Sequence, residues 1–377
     1  MPEIRQGKSA REFKGAFLSL FKKIIPCFLP ENQIIKTDLV PMEEIDKIVC
    51  FSNTAIGDTL FGTPVFRSLK KHFPDKKLIV VMSPKNYELF ENNPYIDDII
   101  LYSGKTKHFF KVLKELKKIN PKLVLALHSN EPQATPLAVL SGAKYIIKLP
   151  NDKNEFNKWH TNKIVPKIEG EHFIKLRLKF LKWLGIEEND CKMDLFLKDE
   201  WIEEVEKVLP KNKKLIGFQI GASTISRRWF NERWVELGKK LLSKYPDVNI
   251  VLTGAPNEKE LTDEVERGIN DKRVLNLAGK LSLGGAAALI DKLNLLVTPD
   301  TGPLHIAIAV KTPTIGLFVA GNPKESNACY DLDIHPFIQK PKTCTPCVDK
   351  KCKYPECMKQ ITVDEILLKI EKQIYKA

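Results

Sequence analysis

From residue 47 onward, short apolar and β-branched runs alternate with stretches whose apolar residues recur at helical spacing. Residues 47–51, 78–82, 98–101, 123–127 and 145–147 read as strands, and 65–73, 87–91, 109–118 and 133–140 between them as helices or helical turns. Strand–helix alternation of this kind predicts a mostly parallel sheet covered on both faces. Residues 151–170 are polar and irregular. Helices at about 172–184 and 199–208 then lead to Leu209-Pro-Lys-Asn-Lys-Lys214, whose composition reads as a linker. The alternation restarts beyond it, with strands at 215–219, 249–252, 273–276, 295–298 and 314–318 and helices near 231–244, 257–269, 282–291 and 303–310. After Phe318 the chain reads as loop, and it closes on a helix at 363–375 with Ile366, Leu367, Ile370 and Ile374 on one face.

The predicted organisation is therefore an arm (1–46), a doubly wound α/β domain (47–208), a linker (209–214), a second doubly wound domain (215–340) and a terminal segment (341–377). Ligands of such sheets bind beyond the carboxyl ends of the strands, so the active site is expected in the cleft between the two domains. The arm alternates Arg5, Lys8, Arg11, Lys14, Lys22 and Lys23 with Phe13, Phe17, Leu20, Phe21 and Ile24. That is a basic amphipathic helix, fit for an anionic membrane surface or for packing on the protein body; periodicity does not separate the two.

The chain has 377 residues and a net charge of +13, from 60 Lys and Arg against 47 Asp and Glu. Nucleic acid, an anionic membrane face and anionic substrates all suit that sign, but the lysines are spread along the whole chain, which argues against nucleic acid. No apolar run approaches the ~20 residues of a membrane span. The early stretch 17–30 is broken by Lys22, Lys23 and Pro26, and no small-residue cleavage site follows, so a cytosolic protein is expected. Of eight cysteines, Cys27, Cys50, Cys191 and Cys329 are scattered, whereas Cys344, Cys347, Cys352 and Cys357 crowd together. Four thiols at that spacing suit a structural zinc, reduced thiols, a disulfide or an iron–sulfur site. Whichever it is, the cluster is expected to pin the loop before the last helix and help that helix reach back across the cleft.

Neither G-x-x-x-x-G-K-[ST], nor G-x-G-x-x-G after a strand, nor H-E-x-x-H occurs, which removes the main support for kinase, nicotinamide-dehydrogenase and zinc-protease readings. Three other loops follow strands. Ser52-Asn-Thr-Ala-Ile-Gly-Asp-Thr-Leu-Phe-Gly-Thr-Pro64 offers Asn53, Gly57 and Asp58; the aspartate is either a general base or a helix cap. Ile220 to Trp234 gathers Gly221, Ser223, Thr224, Arg227 and Arg228 before a helix that Asn231 can cap, all donors suited to phosphate. Pro299-Asp-Thr-Gly-Pro-Leu-His-Ile-Ala-Ile-Ala309 places Thr301 and Gly302 at a helix N-terminus, a cradle for a diphosphate, with His305 one turn in.

Taken with Gly254 and Glu258, with Leu277-Ala-Gly-Lys280, and with Asp300-Thr-Gly-x-x-His305, these loops resemble the family-nine glycosyltransferases, the ADP-heptose:lipopolysaccharide heptosyltransferases and their relatives, over roughly residues 47–330. The resemblance implies a GT-B-type fold of two Rossmann-like domains, the first holding the acceptor beside Asn53 and Gly57, the second a nucleotide-sugar donor such as ADP-heptose. It implies Asp58 as base; Ser223, Thr224, Arg227, Thr301, Gly302 and His305 around the diphosphate; and Glu258, Leu277, Ala278 and Gly279 along the nucleoside. Arg227 stands where relatives often carry lysine. The expected activity is inverting, metal-independent transfer of a sugar to a lipopolysaccharide core or related glycolipid at the inner face of the inner membrane. No catalytic cofactor is expected, and a structural zinc only at the cysteine cluster. The rival readings are a sugar-nucleotide epimerase or hydrolase, and a non-catalytic glycolipid or nucleotide-sugar binder.

Overall fold

The computed structural model describes residues 19–29, 34, 36–149, 155–163, 169–348 and 351–375. The chain forms two compact units: the first runs to Glu169 and takes up Ile174–Asp190 again, and the second comprises Gly170–Phe173 and everything from Cys191.

The first unit opens with a helix at 19–28 (α1) and continues through β1 (Lys47–Ser52), α2 (Ile56–Leu60), α3 (Thr63–His72), β2 (Lys77–Met82), α4 (Tyr87–Phe90), β3 (Asp98–Leu101), α5 (Phe109–Ile119), β4 (Leu123–His128), α6 (Ala134–Leu140), β5 (Tyr145–Ile147) and α7 (Phe173–Leu178). Its sheet has the order β3-β2-β1-β4-β5 with every neighbouring pair parallel. Val49, Phe51, Ile79, Val81 and Val124 fill one layer of the core. Asn120, in the left-handed region at φ 51°, ends α5.

The same core answers half of the question about the arm. Phe21 and Ile25 of α1 are buried in it, Phe21 lies 4.8 Å from the Phe109 ring, and Trp159 Nε1 donates to Leu29 O at 3.1 Å. Ile24 is half-buried and Leu20 exposed. Phe13 and Phe17 fall outside the described residues. Of the described stripe Phe21 alone is buried, joined by Ile25 from outside the stripe, and Phe21→Ala should lower the unfolding free energy of the first unit by about 3–5 kcal/mol. Urea denaturation reads this directly, and a loss below about 1 kcal/mol would mean that α1 is not seated there.

The second unit comprises α8 (Asp199–Glu206), β6 (Lys214–Gln219), α9 (Asn231–Lys244), β7 (Val248–Thr253), α10 (Lys259–Ile269), β8 (Val274–Asn276), α11 (Leu283–Lys292), β9 (Leu295–Pro299), α12 (Gly302–Ala309), β10 (Thr314–Phe318), α13 (Pro323–Ser326), β11 (Phe337–Gln339) and α14 (Val363–Ile374). Its parallel sheet runs β11-β10-β9-β6-β7-β8.

Three expectations shift here. The crossing between units lies near residue 190 rather than at 209–214, because α8 packs on α11. A Cβ at Gly284 would stand 2.1 Å from Trp201 Cε2, so only glycine lets the helices approach this closely. Glu204 also binds Ser282 N at 2.9 Å and Ser282 Oγ at 2.6 Å, clasping the start of α11. The stretch 209–213 is a turn within the second unit, and Lys214 already begins β6. The segment after Phe318 contributes an edge strand, β11, where only loop was read. And the C-terminal helix belongs to this unit's own core: Met358, Ile361, Val363, Ile366 and Ile370 are buried with Trp229 and Trp234, and Trp229 Nε1 donates to Ile361 O at 3.1 Å. A capping box of Thr362 and Glu365 starts α14.

Candidate functional site

In the first unit, Asn53–Ala55 carry the chain off β1 into α2, so Gly57 and Asp58 lie in the first turn of a five-residue helix rather than in a loop. Asp58 is not the cap of that helix, which is Ala55. Its carboxylate turns to other partners: Oδ2 accepts from Thr54 Oγ1 at 2.9 Å, Oδ1 from Arg177 Nη2 at 3.1 Å, and His128 Nε2 stands 3.5 Å from Oδ1. Asp58 keeps 23% of its side chain exposed, which leaves the carboxylate reachable. Asn86 supports the loop from below, donating to Thr54 O at 3.2 Å and Thr59 Oγ1 at 2.9 Å. Asn53 is buried beside it, its backbone N–H donating to His128 O at 3.3 Å.

Arg177 is buried on α7 with its guanidinium 5.4 Å from the Phe61 ring centre. Burial pushes its pKa down to about 10 against the pull of Asp58, so it remains a cation at neutral pH. His128 ends β4 and is 44% exposed at the side chain, yet the surrounding protein desolvates the ring. That desolvation, with Arg177 and Lys148, outweighs Asp58 and lowers its pKa, leaving a neutral imidazole beside the carboxylate. Neither residue was found from sequence. Arg177 is 119 residues from Asp58, and its one signal is a lone arginine inside an apolar helix; His128 could have been noticed as the polar end of a buried strand.

In the second unit the two predicted phosphate loops come together through Asp300, a residue that the motif contained but to which no role was given. Arg227 Nη1 donates to Asp300 O at 2.8 Å, Arg227 Nη2 lies 3.3 Å from Asp300 Oδ2, and His305 Nε2 lies 3.9 Å from Oδ1. His305 is buried. Thr301 holds the N-cap position of α12, but its hydroxyl donates to Pro299 O at 3.3 Å and caps no helical N–H. The helix therefore keeps its first N–H groups directed outward. At Gly302 a Cβ would meet nothing within 4 Å, so the space before this helix end is open. Ser223 is exposed; Thr224 Oγ1 accepts from Ser226 Oγ at 3.3 Å. Asn231 does not cap α9: Phe230 holds that position, and Asn231 Nδ2 donates to Glu264 Oε2 at 2.6 Å.

The predicted nucleoside residues also assemble. Glu258 is buried with Oε2 accepting from Ala255 N at 3.0 Å and Gln219 Nε2 at 3.4 Å. Its carboxylate fills the place where Gly221 lacks a side chain, a Cβ there falling 2.0 Å from Glu258 Cδ. Leu277 N donates to Leu252 O and Gly279 N to Gly254 O, both at 3.0 Å, so Leu277, Ala278 and Gly279 follow the end of β7 at the same sheet edge.

Of the readings open for the cysteine cluster, the described residues fit reduced thiols. All eight cysteines are free thiols, and among the described residues no group of three or more His, Cys, Asp or Glu is placed to hold a metal ion. Cys344 is exposed, whereas Cys357 is drawn against the apolar core by the 3-10 turn Glu356–Gln360. Burial, and then the neighbouring thiols of Cys352, Cys347 and Cys344, raise its pKa.

Comparison with known proteins bears on the family and the fold. The model of glycosyltransferase family 9 (heptosyltransferase) matches residues 115–358. Lipopolysaccharide heptosyltransferase 3 of Escherichia coli K12 is 30% identical over 280 residues, 70% of this chain and 80% of that protein. Lipooligosaccharide heptosyltransferase 2 of Campylobacter jejuni is 24% identical, over 85% of this chain and 96% of its own. Among solved structures, a family 9 glycosyl transferase from Veillonella parvula superposes with a TM-score of 0.74 at 21% identity, covering 91% and 99% of the two chains. The E. coli ADP-heptose lipopolysaccharide heptosyltransferase II gives 0.69 at 17% identity, covering 88% and 99%. These likenesses identify the fold as GT-B, and with the family match over most of its length the chain belongs to glycosyltransferase family 9.

Proposed function

We propose that this glycosyltransferase moves a heptose from ADP-heptose to a sugar hydroxyl of a lipopolysaccharide core, with inversion and without a metal, at the cytoplasmic face of the inner membrane. The observation that carries the reading is the open N-terminus of α12, flanked by Arg227 and His305 on the shared carboxylate of Asp300. A departing diphosphate needs charge and N–H donors, and this arrangement supplies both. Glu258 is assigned to the ribose hydroxyls, and Leu277 to Gly279 to the base. Ser223 and Thr224 serve as further phosphate donors.

On the acceptor, held by the first unit beside Asn53 and Gly57, Asp58 takes the hydroxyl proton as that oxygen bonds to the anomeric carbon. The bond from that carbon to the diphosphate breaks in the same step, and the electron pair leaves with ADP. Arg177 and Thr54 fix the orientation of the carboxylate. The names of the relatives, lipopolysaccharide and lipooligosaccharide heptosyltransferases, support the choice of sugar and acceptor.

Incubation with ADP-heptose and a heptose-deficient core oligosaccharide tests the reading. The expected result is an acceptor heavier by one heptose together with free ADP. Release of ADP at the same rate without acceptor would mean hydrolysis instead. For the donor site, Gly302→Leu should fold normally, since its side chain enters open space, yet weaken ADP about 10–100-fold by displacing charge-assisted hydrogen bonds. Isothermal titration reads the affinity; wild-type binding would move the diphosphate elsewhere.

A further inference from the structure

The reading above calls for an acceptor anchored in a membrane, and the arm was the expected contact. Phe21 and Ile25 seat the described part of the arm in the core, which brings the surface beside it into view as such a contact. Helix α5 turns Phe109, Val112 and Leu116 inward. Its outer side carries Phe110, which is 69% exposed, and an open groove of about 380 Å³ lined by Phe110, Leu113, Lys114, Lys117 and Lys118. Lys107 and Lys111 are exposed on the same stretch, and Glu115 is the single acid within α5. Among the described residues, none of these five lysines enters an ion pair. Lysines that serve structure elsewhere in this unit are paired, as Lys70 is with Asp97, Lys144 with Glu44 and Lys148 with Glu131. The neighbouring α1, tied to α5 through Phe21 and Phe109, adds exposed Leu20 and Phe28.

We propose that the outer face of α5 docks on an anionic lipid bilayer, with Phe110 entering the interface and Lys107, Lys111, Lys114, Lys117 and Lys118 facing the headgroups. The proposal rests on the transferase reading for its biological sense but not for its test. An unpaired basic face around an exposed aromatic matches negatively charged lipid: the ring gains by leaving water, and each lysine gains from the surface potential. A protein partner would need acidic complementarity over an open groove that is walled largely by aliphatic lysine stems.

Flotation of the full chain with phosphatidylcholine vesicles, with and without phosphatidylglycerol, tests it. The wild type should bind only the anionic vesicles, and less as salt rises. Lys114→Gln/Lys117→Gln/Lys118→Gln should weaken that binding about 100-fold, at about fivefold per lysine, and Phe110→Ser should weaken it as well. Both variants alter exposed positions and should transfer to a water-soluble acceptor at the wild-type rate. Equal binding by the triple variant, equal binding to neutral vesicles, or self-association of the wild type that Phe110→Ser abolishes would each overturn the proposal. Failure of the wild type to transfer at all would instead strike the transferase reading and leave the vesicle result standing.

Discussion

Asp58→Asn should abolish transfer almost completely, with a rate loss of ~10²–10⁴, while ADP binding stays unchanged because the donor residues lie in the other unit. Asparagine preserves the shape and the oxygen that accepts from Thr54, but it cannot take a proton. It also deprives buried Arg177 of its counter-charge, which costs stability on its own account. The double variant Asp58→Asn/Arg177→Met separates the two effects. If Asp58 only neutralises Arg177, removing both should restore turnover; if it is the base, the double variant stays inactive although it melts nearer the wild type. Recovery of near-normal turnover in the double variant would reduce Asp58 to an anchor.

Acidification should weaken both units at once. His160, buried in the first unit with Nε2 3.0 Å from Thr135 Oγ1, has its pKa pushed down to about 3 by burial and by Lys148 and Lys36. His335, buried in the second with Nδ1 3.0 Å from Thr314 Oγ1, is pushed down to about 4, burial outweighing Asp331 and Asp333. Both folded-state values lie below the ~6.5 of an unfolded histidine, so the unfolded chain binds more protons and stability rises with pH. The contribution is complete above about pH 6.5 and drains away as pH falls towards 4, at about 1.4 kcal/mol per pH unit for each ring. Near pH 4 each unit is weaker by about 3 kcal/mol, a large part of ordinary domain stability. Urea midpoints at about pH 7.5 and about pH 4.5 measure the slope. His160→Gln and His335→Gln should each flatten it, and an unchanged slope in both would exclude these rings as the cause.

Much of this was legible because a buried parallel strand leaves little choice of sequence. The runs around Val49, Val80 and Val251 are apolar on both faces and cannot be mistaken for surface. β11 escaped because three residues with only Ile338 buried carry no period. The unit boundary was misplaced because an exposed Pro- and Lys-rich turn has the same composition as a linker; the informative signal was Gly284-Gly285 inside a helix, which announces a close neighbour. At the site, residues contributed by a strand–loop–helix motif were visible, including Asp58, Arg227, Gly302 and His305. Partners arriving from distant chain were not. Nothing near Arg177 in sequence marks it as the counter-ion of Asp58, since the pairing exists only once α7 has returned to the first unit. The cysteine cluster left several readings open, since short spacing along a chain gathers thiols without fixing whether they bond to a metal or to one another.

The detour of the chain at residues 170–190 has a practical consequence for dissecting the enzyme. A construction that ends after Glu169 lacks Arg177, whereas one that ends after Asp190 carries away Gly170–Phe173, including His172, whose Nε2 lies 2.7 Å from Asn327 O in the second unit. No single scission yields both units whole. Complementary fragments would have to share residues 170–190, each copy supplying what its own half requires, and a protease that cuts between Gly170 and Arg177 would leave Asp58 and its guanidinium partner on separate pieces of chain while sparing both sheets.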